Sequence, residues 1–138
     1  MLHARQLSSM TFLLPTALAA RGGRLIGTTV YALNWAISTA THSVQDPDYL
    51  VFHAMDLTAI AVWGVYNTCL VAQLLRRKCV SPMLKSALAL AVVATLLHAS
   101  CQSLEYESEM RTRLHMLMHT AGALGSVALL VASNSCPC

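Results

Sequence analysis

The chain is written as long apolar runs separated by short polar connections. Residues 25–41, 57–75, 83–100 and 114–133 carry one formally charged side chain between them, Lys85. About 20 residues of helix cross the roughly 30 Å of a bilayer's hydrocarbon, so these four runs predict an all-α integral membrane bundle of four transmembrane helices. The two shortest, of 17 and 18 residues, cross with little tilt or borrow from their polar flanks. A fifth apolar stretch, residues 12–20, is broken by Pro15 and too short to span. With Arg5 before it and Ala17, Ala19 and Ala20 at its end, it reads equally as a targeting segment, an interfacial helix or the remnant of a further span, a short N-terminal fifth helix. The expected organisation is therefore residues 1–24 as a targeting or interfacial segment, 25–133 as the bundle and 134–138 as a cytosolic tail.

Polar residues inside the runs are few, and their positions carry information. The first run has Tyr31, Asn34 and Trp35 in its middle and closes on Ser38, Thr39, Thr41 and His42. The second helix is expected to begin near Tyr49, after a turn at Asp46-Pro47, which puts His53 and Asp56 about 6 and 10 Å along it. A carboxylate at that depth needs a partner or a wet cavity, because facing lipid costs a few kcal/mol. The third run has no polar side chain between Ser86 and Thr95 and reads as packing, with His98 near its end. The fourth opens as Leu-His-Met-Leu-Met-His, residues 114–119, so His115 and His119 share one helix face. Beyond them Gly122, Gly125 and Ser126 predict close helix approach rather than a site.

Composition sharpens the membrane reading. Of 138 residues 56% are hydrophobic and 11% charged, against about 25% charged in soluble domains. The net charge of +3 is not spread as a stripe, which points away from nucleic acid. Arg5, Arg21 and Arg24 precede the first run, and Arg76, Arg77, Lys78 and Lys85 fill the second connection. Asp46, Asp48, Glu105, Glu107 and Glu109 occupy the others, with Arg111 and Arg113. The positive-inside rule then puts the N-terminus and the basic connection in the cytosol and the acidic connections in the lumen. Cys69, Cys79, Cys136 and Cys138 fall in the cytosolic half and Cys101 opposite them, so no structural disulfide is expected. The Cys136-Pro137-Cys138 tail reads as a frayed terminus, with palmitoylation or metal binding as the alternatives.

This parity gathers His42, His53, Asp56, His98, His115 and His119 at one face of the membrane. Either they share a polar site, or they are unrelated histidines drawn to an interface. Ser38 and His42 are four apart, His53 and Asp56 three, His115 and His119 four, each pair on one helix face. Three neutral imidazoles with an open fourth position make a hydrolytic zinc site. Asp56 suits the role of proton acceptor or of a residue orienting a histidine. Ser38 suits a bond to the substrate oxygen, or else bonds back to its own helix.

The stretch from Ser38 to Tyr66, with Ser-Thr-Ala-Thr-His, Met-Asp-Leu and Trp-Gly-Val-Tyr, together with His115-x-x-x-His119, resembles the CREST superfamily of membrane hydrolases. That superfamily includes the alkaline ceramidases, the progestin and adipoQ receptors and the lipid-remodelling hydrolases of GPI anchors, and the last branch is the most similar. The resemblance implies zinc ligands His42, His115 and His119, with Asp56 and Ser38 completing the site. It covers under half the chain. The family has seven spans, and two would be missing here before the last, an even number that preserves the sidedness of the histidines. Thr41 and Met118 stand where an aromatic usually precedes each histidine.

The expected function is a zinc-dependent hydrolase of a lipid amide or ester in the endomembrane system (ER or Golgi), its site lumenal and its substrate entering from the bilayer. One alternative is a redox anchor of the mitochondrial inner membrane holding haem b between, for example, His98 and His119. Another is a non-catalytic membrane subunit. Four short helices are few to enclose a lipid head group, which leaves room for a homo-oligomer or a membrane partner.

Overall fold

The structure, a computed structural model, describes residues 7–43, 49–104 and 108–136. A 3-10 turn, Met10–Phe12, leads into α1 (Leu13–Arg21), and α2 (Leu25–Thr41), α3 (Tyr49–Arg76), α4 (Pro82–Gln102) and α5 (Glu109–Asn134) follow. The described residues contain no strand, so the all-α expectation holds. Three helices, over Leu50–Arg76, Pro82–Gln102 and Glu109–Asn134, are long and apolar enough to cross a membrane. α2 belongs to the same bundle but has only 17 residues. The Asp46-Pro47 turn, Asp48, Glu105, Glu107, Arg5 and the Pro137-Cys138 end of the tail lie outside the described residues.

Local chemistry sets the ends of the helices. Ser81 accepts the Leu84 amide at 3.2 Å and Pro82 takes the first helical position of α4, where its missing N–H costs nothing. Ser108 caps α5 in the same way through the Arg111 amide. α1 closes with Gly23 at φ 67, the amides of Gly23 and Arg24 returning to the carbonyls of Ala20 and Ala19. That pairing is a Schellman motif. α3 repeats it with Lys78 at φ 54, the Lys78 and Cys79 amides bonding to Leu75 and Leu74.

The bundle has an apolar core of Leu70, Leu74, Leu84, Leu129 and Leu130, buried polar residues along α2, and large apolar side chains on its outside. Gly27, Tyr31, Asn34, Ser38 and Thr41 form the buried stripe of α2, at alternating steps of four and three that keep one face inward. Leu50, Val51, Val62, Val65, Val92 and Leu96 are exposed, and in water so large an apolar surface would aggregate. Lipid is its proper solvent. α5 is the central helix, buried along Ala121, Gly122, Ala123, Gly125 and Ser126. A Cβ at Gly125 would lie 3.3 Å from the Leu90 Cβ, so α4 and α5 touch through this gap, as the small residues predict.

One expectation is corrected. Cys79 and Cys136 form a disulfide, with Cα atoms 6.2 Å apart. The Schellman turn at Lys78 folds Cys79 back over the end of the bundle, where the end of α5 delivers Cys136. Beside it the Arg24 guanidinium donates twice to the Asn134 side-chain oxygen, at 3.0 and 3.2 Å. The expectation of free thiols followed from a reducing cytosol at the basic end. Access matters as much as compartment, and Cys136 is only 8% exposed. The bond closes a loop of 57 residues, and constraining such a loop in the unfolded chain is worth about 2–4 kcal/mol. Cys136→Ser is therefore expected to lower stability by that amount in a non-reducing melt, and prolonged strong reductant to bring wild type down to the variant. An unchanged melt in both would sink the proposed contribution.

Candidate metal centre

α2 and α5 deliver the site. The backbone N–H of His42, at the C-terminal cap of α2, bonds to the Ser38 carbonyl at 3.1 Å, so the two side chains stand one turn apart on one face. The Thr41 hydroxyl bonds to the Phe52 carbonyl at 3.0 Å, pinning the end of α2 to the start of α3. Across the bundle the Ser108 cap starts α5 so that His115 and His119 turn inward one above the other.

Three imidazoles meet there. His42 Nε2 and His115 Nε2 are 3.0 Å apart. The ring centres lie at 4.8 Å for His42 and His115, 4.4 Å for His115 and His119, and 5.7 Å for His42 and His119. One ligand nitrogen from each lies within 4.8 Å of the others. Ligands at about 2.0–2.1 Å from a tetrahedral ion stand about 3.3 Å from each other, so a small closure would make this trio one face of such a site. The three histidines can hold a metal ion.

The surroundings fix the third ligand. The hydroxyls of Ser8 and Ser9 lie 3.2 and 3.5 Å from His119 Nδ1, which leaves Nε2 as the nitrogen for a metal. Ser9 also meets Ser38 at 3.2 Å, and the Asp56 carboxylate stands near Ser38. A hydrogen-bonded chain thus runs from Ser38 through Ser9 to His119, with Asp56 beside its Ser38 end. Every member of it is buried. Yet Asp56 Oδ1 has no partner, and His53 stands nearby.

His42, His115, His119, Asp56 and Ser38 are therefore brought together, with His53 beside Asp56. His98 is not part of the trio. It is exposed and meets Gln102 at 3.5 Å, so the shared gathering is smaller than the sequence suggests. Below Ser38 and His119 opens a cavity of about 560 Å³ between α3 and α4, with Asn34, Trp63 and Asn67 on its wall and His98 also bordering it.

No family model, curated protein or solved structure matches this chain. The functional reading rests on the site's own residues.

Sequence reasoning missed Ser8, Ser9 and Phe12. Phe12 packs edge-on against both Trp63 and His119, with ring centres at 6.0 and 5.8 Å. The signal was present as a spacing: Ser8, Phe12, Pro15 and Ala19 are all buried and recur at steps of four, three and four, the mark of one inward helix face.

Proposed function

We propose that the chain is a membrane-embedded, zinc-dependent hydrolase of a lipid amide or ester, a compact four-span relative of the CREST hydrolases. One observation carries this reading: three histidines converge, His119 among them bordering an apolar cavity, with a buried carboxylate nearby whose Oδ1 is unpartnered. Two neutral helices bringing only packing histidines together would not need Asp56. The donor set favours zinc, since three imidazoles with an open position are the ligands of catalytic zinc. When bound, zinc would supply a water acidified toward neutral pH and a polarised carbonyl.

The chain's own residues do the rest. The cavity takes the lipid chain and brings its carbonyl to the Ser38 and His119 end, so that the reacting bond is held rather than encountered by diffusion. Asp56 accepts the water's proton at Oδ1 and returns it to the leaving nitrogen or oxygen. Ser38 keeps the carboxylate aimed, and Ser8 and Ser9 hold the His119 ring through Nδ1. Burial keeps these contacts strong by excluding water.

Metal analysis and an absorption spectrum of the purified chain test this reading. The expected result is about one equivalent of zinc, no Soret band, and release of fatty acid from a panel of N-acyl and O-acyl lipids. A Soret band would instead place haem between histidines, and a metal-free protein inert to the whole panel would end the proposal.

A further inference from the structure

The middle of the bundle contains a network whose polar atoms are used in turn. The Tyr31 hydroxyl donates to Asn67 Oδ1 at 2.7 Å, Asn67 Nδ2 and Trp63 Nε1 donate to the Ser126 hydroxyl at 3.3 and 3.1 Å, and Ser126 donates to the Gly122 carbonyl at 3.0 Å. Asn34 breaks the pattern. Its side chain is 2% exposed, its Oδ1 has no partner, and it borders the cavity that starts at Ser38 and His119. Leaving such an acceptor unmet is costly in an apolar interior, and a hydrophobic side chain would fill the same wall without that cost.

We propose that Asn34 is the specificity-determining residue of this cavity, its side-chain oxygen receiving a hydroxyl or amide N–H carried on the lipid chain. Asn34 and Ser38 are four apart on the inward face of α2, so the acceptor lies one helical turn, about 5.4 Å, deeper than the reacting end. A carbonyl oxygen accepts and does not donate. It therefore selects chains bearing a donor and gives no advantage to a plain hydrocarbon chain or to a keto group. The cavity's volume of about 560 Å³ is in the range that encloses a single small-molecule ligand. Leu57 and Leu88 on its border are exposed to the surroundings, which opens it toward lipid. This inference deepens the hydrolase reading by naming its substrate class, and it shares with that reading only the cavity.

Binding, not turnover, tests it. The full chain in detergent micelles, treated with a chelator, is titrated with a fluorescent fatty acid, which is then displaced by palmitate, by its monohydroxylated isomers and by ketopalmitate. At least one hydroxylated isomer is expected to bind about tenfold tighter than palmitate, and ketopalmitate no better than palmitate. In Asn34→Leu the hydroxyl preference disappears while palmitate still displaces the probe, and the variant melts no lower than wild type. Equal binding of all chains by wild type, or a keto preference, overturns the proposal without reference to any variant. A preference that survives Asn34→Leu overturns it as well. A preference seen in wild type and lost in the variant supports it even if the purified protein holds no zinc, which would sink the hydrolase reading alone.

Discussion

His119→Ala is expected to strip the protein of its metal. Wild type should hold about one equivalent of zinc through dialysis and the variant almost none, with lipid hydrolysis falling to background. Removing even an outer bond to a metal-binding histidine costs about 10–100-fold in affinity, and His119→Ala removes a ligand outright. Two of the trio would remain, on different helices, with nothing to complete a third position. The same logic grades a second variant. Ser8→Ala combined with Ser9→Ala leaves the ligand but frees its Nδ1, so its loss of affinity should stay within that 10–100-fold range. His119 is buried beside Phe12, so the alanine variant also leaves a cavity. Retention of helical circular dichroism and of the Cys79–Cys136 bond distinguishes lost metal from lost fold. A His119→Ala protein that keeps its zinc and its activity would remove this centre from consideration.

The parts of the architecture that depend on length and apolar content were legible in the sequence. The runs at 57–75, 83–100 and 114–133 became α3, α4 and α5, because hydrocarbon accepts little else. The inward face of α2 was less legible, since its buried stripe is largely polar. Asn34 and Ser38 look like interruptions of an apolar run and turn out to be its interior. Parity of the connections brought His42 to His115 and His119 correctly, since helix ends on one side of a bundle must meet. It overreached with His98, which lies at the right end of α4 but stands exposed on the border of the cavity, outside the trio. Residues 7–21 show the limit of length as a guide: a segment too short to span can still fold as a helix and pack its buried face into the bundle. The disulfide failed for another reason. Both cysteines were placed at the same end, and a rule about compartments then outranked their proximity.

Asp56→Asn is expected to separate catalysis from stability. Asparagine has nearly the same shape and is not one of the three histidine ligands, so His42, His115 and His119 should keep their zinc. It cannot take a proton as a carboxylate does, and loss of a general base costs about 10²–10⁴-fold in turnover. Stability should move the other way. Asp56 is 6% exposed with an unpartnered Oδ1, and removing a buried, half-satisfied charge should stabilise the fold by about 1–3 kcal/mol. A purely structural carboxylate would show the reverse, with the variant melting earlier and activity falling only as the folded fraction falls. Measured together, zinc content, melting temperature and turnover of Asp56→Asn therefore decide the role. Unchanged zinc, an equal or higher melt and a loss of at least about a hundredfold in rate identify Asp56 as the proton acceptor. Wild-type turnover in the variant would show that the buried carboxylate does not act in the reaction.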